Sequence, residues 1–133
     1  MNESSLYKNS IQIIAMGAST GGTEALLAIL EKLPGNLPPI VITQHMPPIF
    51  TNMYAERLNR ICKMEVREAK DQDKLYPGLC LIAPGGLQMQ VVKDREGLKV
   101  SCMEGEKVSG HCPSIDYLFS SVAKECGEHA VGI

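Results

Sequence analysis

The stretch Gly17-Ala18-Ser19-Thr20-Gly21 sets a serine among glycines at the end of an apolar run, and His45 closes a second apolar run further along the chain. A serine hydroxyl becomes a strong nucleophile when an imidazole within reach takes its proton, so this pair could attack a carbonyl carbon. The G-x-S-x-G spacing suits that chemistry, because glycines permit a tight strand-to-helix turn with the serine at its apex. A helix beginning just behind Ser19 would aim backbone N–H groups and the positive end of its dipole at an oxygen that gains negative charge. Two other site types use similar residues. A dinucleotide site expects G-x-G-x-x-G, but Ser19 puts a hydroxymethyl group where the pyrophosphate meets bare backbone, and Gln44-His45 stand where a ribose-binding acid belongs. A P-loop would end in GK[ST], and this loop has no lysine. The plainest alternative is a small residue in a turn and an incidental histidine.

The elements around the pair decide whether it can meet. Ile11 to Gly17 is a short β-branched run, as expected of a strand buried on both faces, and Pro39 to His45 is a second. Between them, Gly22 to Leu33 places Ala25, Leu26, Ile29, Leu30 and Leu33 at helical spacing before Pro34-Gly35. Such a βαβ unit lays its strands parallel with a right-handed crossover and brings Ser19 and His45 to the same sheet edge. A second helix is expected from an N-cap at Thr51, with Met53, Tyr54, Leu58 and Ile61 at apolar spacing, and a third strand over Met64 to Ala69. The runs LCLIAPGG, LQMQVVKD and LKVSCME predict a hairpin or meander added to the parallel sheet. Pro113 and Ser114 open a third helix that ends near Gly127, with Ile115, Leu118, Phe119 and Val122 on one face, and HAVGI begins another strand.

Composition narrows the class. A chain of 133 residues suits one compact domain. Its 44% hydrophobic content and net charge of −2 argue against a disordered tail or a nucleic-acid binder. The polar start, MNESSLYKNS, lacks the features of a secretory signal, and no segment approaches the roughly 18 unbroken apolar residues of a membrane span, so a cytoplasmic location is expected. Five cysteines, Cys62, Cys80, Cys102, Cys112 and Cys126, contain no CxxC pair and read as free thiols. No metal site is expected, since the adjacent pair His111-Cys112 is too little to make one. His111, in a Gly/Pro-bounded loop, and His129, at a strand start on the opposite edge, are weaker candidates than His45.

Taken together, GASTGGTEAL, PIVITQHMPPIFT, LIAPGG and PSIDYLFSSVA, in this order, resemble the catalytic domain of the CheB-type chemotaxis protein-glutamate methylesterases. The resemblance runs from about Ile11 to Ile133, after a polar segment over residues 1–10. It implies a Rossmann-like three-layer α/β fold with a mostly parallel sheet plus a hairpin or meander. It also implies hydrolysis of glutamate γ-methyl esters on the cytoplasmic helices of chemoreceptors, with glutamine deamidation in some members. By motif, Ser19 is the nucleophile, His45 the general base and then acid, and the Thr20 backbone N–H an oxyanion donor, with Met46 in a loop bordering the substrate cleft. No cofactor is implied. The family's triad aspartate lies in a Gly-Met-Gly-x-Asp-Gly segment expected just beyond the HAVGI strand. The catalytic domain therefore reads as incomplete at its C-terminus and impaired, prone to self-association through an open sheet edge. The alternative is a silent module that binds receptors or related partners. Asp71, Asp73 and Asp116 read as turn and helix-start residues rather than replacement acids. Many members carry an N-terminal receiver domain, for which ten residues are too few, so the chain reads as a standalone form or an excised piece, with a separate receiver domain among the candidate partners. Cys112 stands where the family often has arginine.

Overall fold

The computed structural model describes residues 11–19 and 21–133. Five strands form one wholly parallel sheet in the order β3-β4-β2-β1-β7: β1 Ile13–Ala18, β2 Ile40–Gln44, β3 Glu65–Glu68, β4 Leu79–Ile82 and β7 Ala130–Gly132. The central strands β2 and β4 are buried along their whole length, which is why their sequences read as unbroken runs rather than as an alternation. The sheet separates two apolar layers. On one face Ile40, Ile42, Cys80 and Ile82 pack with Leu26 and Leu30 of α1 (Thr23–Leu30) and with Tyr54, Ala55 and Leu58 of α2 (Phe50–Ile61). On the other, Ile13, Ala15, Val41 and Leu81 pack with Leu118 and Val122 of α3 (Ile115–Cys126) and with Met89, Val91 and Val100 of a hairpin, β5 (Gln88–Asp94) and β6 (Gly97–Met103). Each fully buried aliphatic side chain in these layers contributes about 1.5–3 kcal/mol of transfer free energy.

Most predicted elements are present, with shifts that have local causes. The first helix ends at Leu30 rather than Leu33, because the Lys32 and Leu33 amides turn back to the carbonyls of Ile29 and Leu30 in a tighter last turn. Its predicted face is partly wrong: Ala25 and Ile29 are exposed. Thr51 is not an N-cap. It lies inside α2, where its hydroxyl donates to Glu68 and accepts from the Gly85 amide at 3.0 Å, while Ile49 takes the cap position with φ 76°. The LCLI run belongs to the parallel sheet as β4, and the hairpin β5–β6 is a sheet of its own rather than an extension of it. That hairpin is joined to α3 by the Val91 amide, which donates to Ser121 Oγ at 2.9 Å. Ser114 caps α3 as predicted, its hydroxyl accepting from the Tyr117 amide.

Candidate active site

The register of β1 on β2 pairs Ala18 with Gln44, so the residues that follow, Ser19 and His45, leave the sheet from neighbouring strand ends. Two further bonds fix this junction. The His45 amide donates to the Ala18 carbonyl at 3.2 Å, and Gln44 Nε2 donates to the Ser19 carbonyl at 2.8 Å. The Ser19 carbonyl also accepts from the Gly22 amide at 2.9 Å, closing the turn into α1. Gly21 holds φ at +93°, and a Cβ on Gly22 would meet the Ala18 side chain at 2.9 Å, so both glycines are required by this turn. Ser19 is exposed at its apex. Thr20, the expected oxyanion donor, lies outside the described residues.

His45 is half-buried, and its Nε2 is sealed from solvent with no hydrogen-bond partner among the described residues. No hydrogen bond joins its ring to Ser19 among those residues. Burial lowers its pKa below the ordinary 6.5, and repulsion from His111 adds to the effect. The neutral imidazole is the form that accepts a proton, so this shift extends its service as a base to lower pH. His45 and Met46 line a cavity of about 260 Å³ with Pro47, Lys107, His111 and Cys112.

His111 ranked low in the sequence, yet the fold carries it to His45: the two rings stack with centroids 3.8 Å apart and planes 10° from parallel. The signal that could have found it is Ser109-Gly110, a turn pair immediately before it, ahead of a helix that starts at this same sheet edge. His129 stays away from the site, at the opposite end of the neighbouring strand β7. The three acids considered as replacements are all engaged elsewhere. Asp71 accepts from the Cys102 amide, Asp73 from Arg67 and the Lys70 amide, and Asp116 from Ser109 Oγ. Among the described residues, no carboxylate pairs with His45.

The cysteines are all free. Burial pushes the Cys102 thiol up to about 12 and raises that of Cys80 further, leaving both inert. Among the described residues, no group of three His, Cys, Asp or Glu side chains could hold a metal ion.

An open parallel α/β sheet with a serine turn and a histidine at adjacent carboxyl ends of its strands defines a class, that of doubly wound domains whose sites sit at this edge. Comparison with known proteins narrows the class. A family model described as CheB methylesterase matches residues 14–133, and the chain belongs to that family. It is 47% identical over all of its 133 residues to a protein-glutamate methylesterase/protein-glutamine glutaminase of Syntrophotalea carbinolica, covering 38% of that protein. It is 46% identical over 125 residues to the protein of the same name from Salmonella typhimurium, covering 94% of this chain and 36% of that one. The chain thus spans little more than a third of the length of these relatives. The crystal structure of the Thermotoga maritima CheB methylesterase catalytic domain superposes with a TM-score of 0.88 at 31% identity, over 92% of this chain and 66% of that one. No helix among the described residues is long and apolar enough to cross a membrane.

Proposed function

We propose that this chain is a catalytic core for hydrolysis of glutamate γ-methyl esters on the cytoplasmic helices of chemoreceptors, with methanol as the leaving group. The observation that supports this reading is the β1–β2 register, which pairs Ala18 with Gln44, the residues just before Ser19 and His45, in a member of the CheB methylesterase family. Ser19 Oγ attacks the ester carbonyl carbon while His45 takes its proton. The family resemblance implies the Thr20 N–H as a donor to the oxygen that gains charge. Collapse expels methoxide, which leaves as methanol with the proton from His45. Water, deprotonated in turn by His45, then cleaves the acyl-serine to free glutamate. Serine, imidazole and water suffice for this sequence, and Met46 borders the entry. The same steps on a receptor glutamine release ammonia, in keeping with the glutaminase half of the relatives' names.

Since no described carboxylate holds the His45 imidazole, turnover by this chain alone is expected to be weak; in serine proteases, loss of the acid costs roughly 10⁴-fold. The reading assigns the protein to the cytoplasm.

The test is methanol release from methylated chemoreceptor membranes, with Ser19→Ala alongside. Slow release that disappears in the variant is expected. Equal release from both proteins would overturn the nucleophile assignment, and near-normal turnover by the chain would overturn the impairment. No release from either would favour a silent module that binds through the same cleft.

A further inference from the structure

His111 is held by contacts that do not involve His45. It closes a two-residue turn in which the Val108 and His111 amides donate to each other's carbonyls at 2.9 and 3.1 Å. Ser109 and Gly110, at the centre, both have positive φ, 52° and 81°, as a tight primed turn requires. Ser109 Oγ ties the turn to α3 by donating to Asp116 Oδ2 at 2.6 Å. Beneath it, the buried Gln88 side chain donates to the carbonyls of Glu106 and His111 and accepts from the Ser114 amide. A side chain that spans three backbone groups across the loop braces it from below. The ring this loop carries lies in van der Waals contact with one face of His45.

We infer that His111 is a positioning residue for His45: stacked flat on the imidazole and carried by a braced turn, it sets the plane in which that imidazole meets the Ser19 hydroxyl. The inference rests on the reading of His45 as the general base. The torsion that turns an imidazole about its Cβ–Cγ bond is broad, and no described side chain bonds to the His45 ring, so an unstacked ring would sample orientations useless for proton transfer. A ring 3.8 Å away and nearly parallel blocks that rotation on one side. Burial lowers the His45 pKa, and repulsion from the adjacent His111 ring lowers it further. The other titratable or charged groups that line the cavity with His45 are Lys107 and Cys112.

The test uses the full chain, with His111→Ala and His111→Phe, and two readouts. By NMR titration of the His45 ring, both variants should move its midpoint up toward the ordinary imidazole value, since each removes the competing charge. In methanol release at a pH where His45 is neutral, His111→Ala should lose about tenfold in kcat with KM unchanged, while His111→Phe, which keeps a flat ring, stays within about threefold of the original chain. Ser109→Ala, at an exposed position, should fall between them. Equal losses in the Phe and Ala variants would overturn the stacking role, as would a rise in KM alone. If the unaltered chain shows no Ser19-dependent release, the functional reading fails and the titration alone decides: an unmoved His45 midpoint then overturns the inference.

Discussion

Strand β2 begins and ends in different chemistry. Ile40, Val41 and Ile42 are wholly buried, and each packs into one of the two apolar layers. Thr43 and Gln44 are buried just as completely, but Thr43 Oγ1, Gln44 Oε1 and His45 Nε2 have no hydrogen-bond partner among the described residues. An unpaired buried polar atom costs about 1–3 kcal/mol, so one half of the strand stabilises the fold while the other half gives some of that back. Strand β1 divides the same way. Ile13 and Ala15 fill the layer beneath α3, whereas Gly17, paired with Thr43, leaves room for Ile115. The difference teaches that the carboxyl end of this sheet is built for the groups it presents rather than for packing, a common pattern where a fold holds a reactive site.

The contrast can be broken most sharply at its core end. Ile42→Ala should cost about 2–5 kcal/mol in urea unfolding, because the cavity it leaves lies between two fully covered faces of the sheet. A loss below about 1 kcal/mol would mean that this half of the strand is no better packed than the other. At the site end, Gly17→Ala drives a Cβ to within 2.6 Å of Ile115 Cγ2, and a loss of about 1–3 kcal/mol with a displaced start of α3 is expected. An unchanged midpoint would show that Ile115 gives way freely.

Thr43→Val, nearly isosteric, removes an unpartnered hydroxyl and should gain about 1 kcal/mol; a loss instead would reveal a bond to Thr43 that matters. The smallest effect is in pH. The His45 pKa is lowered in the fold, so between that lowered value and about 6.5 the unfolded chain binds the extra proton, and stability should decline as pH falls through this window. Thermal midpoints on either side of it would show the slope, and His45→Gln should flatten it; an equal slope in both proteins would place the proton uptake elsewhere.

How far the sequence could be read follows the same division. The strand–helix–strand unit was legible because its apolar runs are local and its glycines mark the turn at Ser19. The helix ending at Leu30 was not, since residues 31–33 keep helical spacing and only the way the chain tightens toward Pro34 ends it. Thr51 looked like a cap because its type favours one. Its hydroxyl instead serves Glu68 and Gly85, partners distant in sequence that no local pattern reveals. The same limit hid Gln88, which reads as one polar residue in a strand pattern, although it braces the loop that carries His111.

The sequence by itself determined the parallel α/β class, the glycine turn that exposes Ser19, and the placement of Ser19 and His45 at one edge, because each follows from hydrophobic period, turn chemistry and the handedness of the crossover. Only the tertiary structure decided that the hairpin stands apart from the main sheet, that Asp71, Asp73 and Asp116 are occupied away from His45, and that His111 lies against it. The physical reason is range. Backbone preference acts over a few residues, whereas which side chain meets which across the sheet edge is settled by how α3 and the 106–113 loop pack on a surface made by other parts of the chain.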